Sequence, residues 1–176
     1  MTDHVAPSAS ADIAEQIEHP LLRKFYAYWM TKRGARRFPA RHDIDPLDFP
    51  YVLGNLMLVD VLRDPLRFRI RLHGTELAQR AHYELTGKML DALPVPEYRN
   101  YVIERCRGLV ASGAPLSVRQ DRMLGGRPQR YEALWLPFSD DDETVNLLAC
   151  ALIYHQDKAA DQSFRETETR RLRTAR

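Results

Sequence analysis

The segment Asn55–Gln79, "NLMLVDVLRDPLRFRIRLHGTELAQ", contains the change of pattern on which the fold turns. In "NLMLVDVL" (55–62) an extended chain is apolar on both faces. In "RFRIRLH" (67–73) it is apolar only at Phe68, Ile70 and Leu72 and basic at Arg67, Arg69 and Arg71. Between the two, Asp64-Pro65 is a turn signal, so the pair predicts an antiparallel hairpin. Two-sided hydrophobicity marks an interior strand, because only such a strand has neighbours on both faces, whereas alternation with charge marks an edge.

Downstream, Thr75 reads as the cap of a helix "ELAQRAHY", broken by Gly87 in "LTGKML". Residues 97–111 place Tyr98, Tyr101, Val102, Ile103, Cys106, Leu109 and Val110 at helical spacing, and Ser112-Gly113 ends this second helix. Three strand patterns follow: "LSVRQDRML", "QRYEALWLPF" after Gly125-Gly126, and "VNLLACALIYH" (145–155) after the acidic loop "SDDDET". The last is again apolar on both faces. Strands one and five are therefore expected side by side in the middle, with strand two at one edge and strand three at the other, in the order 2-1-5-4-3. The intervening helices cover one face.

Upstream, "PLLRKFYAYWMTKRG" has a proline suited to a first helical turn, apolar residues at Leu22, Phe25, Tyr26 and Trp29, terminal cations and Gly34 to stop it. It is the spare element able to bury the second face of the sheet, in the same chain or in a second copy. In "FPARHDIDPLDFPYVLGN", Asp45 is suited to cap a short helix that Pro46 opens and Gly54 ends. The organisation expected is a mobile segment over 1–19, a domain over 20–155 and a polar, basic tail over 156–176.

The 176 residues suit one ordinary domain, and 44% apolar with 28% charged residues is globular composition. A net charge of +2 lacks the basic bias of a dedicated nucleic-acid binder. Cys106 and Cys150 have neither disulfide-framework nor metal-pair spacing and read as reduced thiols. With neither a signal-type N-terminus nor an apolar run of spanning length, the expectation is a cytoplasmic protein without a membrane span.

This element order, together with "HGTELAQRAHYELTGKMLDAL" (73–93), resembles the PAS domain family, and Glu84–Leu90 is similar to the second half of that family's central phrase. Pro39, Arg41, Asp43, Asp45 and Pro46 before the first strand, with Arg71, Leu72, Gly74 and Thr75 after the second, resemble a bacterial subfamily of small, often stand-alone PAS proteins. The likeness spans about residues 20 to 155. It departs at His82, where the family often has glycine. The resemblance implies an α+β fold with a five-stranded antiparallel sheet, helices on one face and a ligand cavity beneath them.

Family anchors for cofactors are not found: the helix 97–111 has no histidine to ligate haem iron, and "ERCRGL" around Cys106 is not the flavin-type cysteine phrase. The cofactor stays unknown. His73, His82 and His155 lie at element ends that can converge on a metal, but no pair has ligand spacing. Asp140, Asp141, Asp142 and Glu143 lack the alternation of a calcium loop and read as a solvated hairpin loop. Arg67, Arg69 and Arg71 suit either an acidic partner or edge protection, and Arg41, Asp43 and Asp45 suit an ion-paired cap network. The arginine-rich tail from Phe164 lacks the aromatic residues that would stack bases, so no nucleic acid is expected.

The function expected is that of a PAS-type sensory module, not an enzyme, whose output passes through contact with a signalling partner protein. Phe68, Ile70, Tyr83, Tyr101 and Trp135 are the candidate contacts for a small ligand. Leu22, Phe25, Tyr26 and Trp29 are the candidate homodimer contacts. One alternative is a ligand-free scaffold for dimerisation or interaction, its cavity filled by its own side chains. The other is a small cavity enzyme, for which Asp60 is the one ionisable candidate.

Overall fold

The computed structural model describes residues 13–124 and 127–155. Strands β1 (Leu56–Leu62), β2 (Arg67–His73), β3 (Leu116–Leu124), β4 (Arg127–Phe138) and β5 (Leu147–Tyr154) form one antiparallel sheet in the order β2-β1-β5-β4-β3. The two apolar strands are the central neighbours, with Leu56 opposite Ala151 and Asp60 opposite Leu147. A bulge between Leu58 and Val59 adjusts the pairing of β1 with β2. The ends of the chain fall outside the described residues, so the expectations for residues 1–12 and for the basic tail lie there too.

Side chains alternate along a strand, and cross-strand partners share a face. The register therefore sorts the sheet into an inner face, with Val59, Ile70, Cys150 and Trp135, and an outer face, with Leu56, Ala151, Leu134 and Glu132. Helices α1 (Ile13–Gln16) and α2 (Pro20–Arg33) precede the sheet, while α3 (Thr75–Ala81) and α4 (Pro96–Ser112) lie between β2 and β3. Cys106 of α4 is close enough to Cys150 for their thiols to interact, which sets α4 on the inner face.

The outer face is closed by the N-terminal segment of the same chain. The Glu132 carboxylate, 1% exposed, accepts the backbone N–H groups of Glu18 at 2.8 Å and His19 at 2.9 Å, satisfying donors at the entry to α2. Trp29 Nε1 donates to the Pro137 carbonyl at 2.9 Å. Leu22, Phe25 and Trp29 are at most 2% exposed, and each such burial stabilises by roughly 1.5–3 kcal/mol. The face expected to meet a second copy is thus covered by the chain's own sheet; Tyr26, half-buried, stacks on Trp29. Packing also begins earlier than Pro20, since Ile17 is fully buried.

Several local expectations shift for physical reasons. Pro46 opens only a three-residue turn, Pro46–Asp48, in which Asp45 Oδ1 accepts from the Leu47 N–H at 2.9 Å; Pro50 disfavours helix at the residue before it, and Leu53–Asn55 is a separate turn. Gly74, not Thr75, caps α3, which ends at Ala81 because His82 takes a left-handed conformation with φ +63°. The guanidinium paired with Asp43 is that of Arg36 rather than Arg41. The acidic loop is a latch: Asp142 and Asp140 accept the backbone N–H groups of Phe38 and Arg41 at 2.9 and 3.0 Å. Asp141 closes the loop on itself through Ser139, Glu143 and Thr144, which hold its carboxyl well below the usual carboxylate range.

Two backbone positions make opposite predictions. A β-carbon on Gly74 would stand 2.4 Å from the Gly54 carbonyl oxygen, so Gly74→Ala is expected to destabilise by roughly 1–3 kcal/mol. His82→Gly removes a Cβ from a left-handed position and is expected to stabilise by roughly 0.5–1 kcal/mol. Urea unfolding of both variants checks the pair.

Candidate functional site

The inner face is built by parity. Val61 faces Phe68 and Val59 faces Ile70 across β1 and β2, while Cys150 faces Met57 on one side and Trp135 on the other. Two residues along β4 from Trp135 lies Ala133, and two further lies Tyr131, opposite Tyr154 of β5. Tyr98 and Tyr101, three apart, come from α4. Tyr83 follows α3 and stacks on His73, with ring centroids 6.2 Å apart.

These elements bring five phenols together. Tyr131 and Tyr154 meet edge to face at 5.5 Å, and Tyr131 shares a hydrogen bond with Tyr101. Tyr98 lies among Tyr154, Tyr131, Cys150 and Tyr83. Burial pushes the Tyr98 and Tyr131 phenols far above their ordinary values, and neighbouring phenols add to the shift. Tyr154 is raised by burial too, partly offset by the Arg80 guanidinium, which stands 3.8 Å from its ring centroid. Its hydroxyl donates to Gln129 Oε1 at 3.1 Å. Arg105 Nη2 donates to the Tyr101 hydroxyl at 3.1 Å.

Tyr98, Tyr131 and Tyr154 are therefore neutral at physiological pH, and each hydroxyl can donate or accept. Burial pushes the Cys106 thiol up to about 12 and raises Cys150 as well, so both remain protonated rather than nucleophilic. The chemistry available here is hydrogen bonding within hydrocarbon walls, which suits recognition.

A PAS domain family profile matches residues 17–153. The chain belongs to the PAS domain family. The PAS domain of BvgS from Bordetella pertussis is similar in structure at 17% identity, covering 73% of this chain and 98% of that one, with a TM-score of 0.48. A sensory box sensor histidine kinase from Vibrio cholerae is 15% identical, covering 61% of this chain and 86% of that one, with a TM-score of 0.42. The LOV protein of Rhodobacter sphaeroides is 13% identical over 68% of this chain and 74% of that one, with a TM-score of 0.44. No curated protein matches the chain. No described helix is long and apolar enough to cross a membrane.

On this PAS domain, the five residues read from sequence as ligand contacts lie on or beside the inner face. Phe68, Ile70 and Trp135 are 3%, 0% and 5% exposed, and Tyr83 and Tyr101 are half-buried against the same core. Sequence reading missed Tyr98, Tyr131, Tyr154 and Arg80. The signal for Tyr131 was present: it lies four residues before Trp135 on one strand and must share its face. Arg80 has no such signal, since its position follows from where α3 ends.

Other candidates are placed elsewhere. His82 and His155 are exposed, whereas His73 is half-buried with its side chain mostly covered; among the described residues no group of three histidine, cysteine or acidic side chains is arranged to hold a metal. On the outer face a cleft of about 280 Å³ opens between Pro46–Gly54 and β1, walled by Phe49, Leu53, Leu56, Leu58 and Leu72.

Asp60 belongs to the outer face, opposite Leu147, away from the phenols. Its carboxylate takes Arg71 Nε at 2.6 Å and Arg69 Nη2 at 3.0 Å. Burial works to raise its pKa, but the two guanidiniums hold it below the ordinary value. All three arginines on β2 are thus ion-paired within the chain, Arg69 and Arg71 with Asp60 and Arg67 with Asp91 at 3.2 Å.

Asp60→Asn is expected to cost roughly 1–3 kcal/mol, discounted for the partial exposure of both arginines. A depressed folded-state pKa stabilises above the unfolded value near ~3.9 and loses that effect as pH falls through the lower folded value. The variant should therefore show a shallower loss of stability on acidification below about pH 4, measured by urea unfolding across pH 2–7.

Proposed function

We propose that this PAS domain is a sensory module whose inner face takes a small ligand with an apolar or aromatic body and a hydrogen-bonding head. Binding is relayed to a partner protein by contact. The observation that carries the reading is the gathering of five phenols, three of them held neutral by burial, where a buried hydroxyl either finds a partner or lowers stability. Arg80, above the Tyr154 ring, marks the side on which an anionic head would be held. Ligand binding would shift an equilibrium between arrangements of α3 and α4 over the sheet, which a partner reads. We place the sensory unit from Ile17 to about residue 155, in a cytoplasmic protein.

A second reading has one observation in its favour. Tyr131 and Trp135 are 3% and 5% exposed, as in a core filled by its own side chains, and the chain would then be an interaction scaffold without a ligand.

Denaturing the purified protein and analysing the supernatant by mass spectrometry separates the readings: a stoichiometric small molecule is expected. Added back, that compound should raise the melting temperature, and Tyr131→Phe should weaken its binding roughly 2–10-fold by removing one hydroxyl while leaving the ring packed. An extract without a bound species, and no thermal shift across a panel of small aromatic and carboxylate metabolites, favours the scaffold.

A further inference from the structure

We propose that β3 pairs along its outer edge with the β3 of a second copy, antiparallel about a two-fold axis through Gln120, joining two sheets into one of ten strands. The two edges of the sheet differ. At β2 the chain covers its own edge: the Ile70 N–H donates to the Lys88 carbonyl at 2.8 Å, the Gly87 N–H to the Ile70 carbonyl at 2.7 Å, and Arg69 bridges Met89. At the other edge, β3 runs nine residues and among the described residues pairs with β4 alone. Such an edge presents a row of backbone donors and acceptors to any strand that fits it.

The charges on β3 select the partner. An edge protected by one sign of charge repels a copy in every register. This one carries Arg119 and Asp121, opposite in sign, two residues apart and so on one face, with side chains 58% and 72% exposed. On β4 the register places Glu132 opposite Arg119 and Arg130 opposite Asp121. An axis through Gln120 sets Arg119 of each copy opposite Asp121 of the other. Each row across the interface then reads Glu132, Arg119, Asp121 of the second copy, Arg130 of the second copy: negative, positive, negative, positive. The row is repeated by the two-fold axis.

Neighbouring registers lack this match. An axis through Arg119 or through Asp121 sets like charges face to face. An axis through Val118 sets Arg119 against Ser117, and one through Arg122 sets Asp121 against Met123. The existing contacts leave room for the second copy: Asp121 accepts from Arg130 at 3.0 Å, a pair on which one half of each row is already built, and the Arg119 guanidinium, which meets Glu18, has further donors for Asp121 of the second copy. Pairing by one strand edge is at the small end of interface sizes, so the dimer is expected to be reversible and concentration-dependent. It leaves the phenol-lined face and α2 untouched, and it stands or falls independently of the ligand reading.

The test exploits charge swapping in the full chain, with sedimentation equilibrium as the readout. Arg119→Asp makes positions 119 and 121 both acidic, and Asp121→Arg makes both basic. Each variant alone is expected to dimerise about tenfold more weakly than the native chain. An equimolar mixture is expected to recover the native association, because the acidic edge of one faces the basic edge of the other. Gln120→Cys, on the axis, is expected to give a disulfide-linked dimer on mild oxidation, and adding Asp121→Arg should suppress it. A native chain that stays monomeric at millimolar concentration overturns the proposal. So does a dimer that both charge variants leave unchanged, or a mixture without recovery. If a charge variant fails to fold by circular dichroism, the Gln120→Cys cross-link decides alone: absence of linked dimer overturns the pairing.

Discussion

The pairing of β1 with β5 is the constraint from which the rest of this PAS domain follows. Each strand is apolar on both faces, so neither can lie at an edge without exposing hydrocarbon, and side by side they force a cover onto each side of the sheet. The connection between β2 and β3, carrying α3 and α4, supplies the inner cover. The outer cover comes from the N-terminal segment, held by the burial of Leu22, Phe25 and Trp29, by the Trp29 indole on the Pro137 carbonyl, and by the buried Glu132 carboxylate, which reaches from β4 to the backbone of Glu18 and His19.

Once both faces are covered, the chemistry of the inner one is set by its dielectric. Burial in hydrocarbon keeps Tyr98, Tyr131 and Tyr154 from ionising, and does the same to the two cysteines. Asp60 stays charged on the opposite face, where its pairing with Arg69 and Arg71 offsets the cost of burial. The two faces thus divide the work: neutral phenols and thiols inside, with Arg80 and Arg105 beside them, and ion-paired closure outside.

Much of this architecture was legible in the sequence because it depends on patterns with a fixed period. The strand order followed from which runs were apolar on both faces, and the 14 residues of α2 followed from a proline, an apolar stripe and a glycine. What covers the stripe of Leu22, Phe25 and Trp29 was not legible, because periodicity names a face and not its partner. The burial of Ile17 was equally hidden, since the carboxylate that holds its neighbours lies more than 100 residues away. His82 was noticed as a departure from the family's glycine, and its left-handed backbone shows that the position keeps the glycine-like conformation while carrying a side chain. The spacing places Tyr98 on its helix, but only the assembled sheet reveals that Tyr131 and Tyr154 face it.

The most direct test is amide hydrogen exchange on the dilute, monomeric chain. If β1 and β5 are the covered centre of the sheet, the amides of Leu56–Asp60 and Leu147–Ala151 will exchange only through global unfolding, and those of α2 will be protected to a similar degree at every protein concentration. Exchange of the β1 or β5 amides as fast as that of β3, or protection of α2 that disappears on dilution, would contradict a central pair covered on both faces by its own chain.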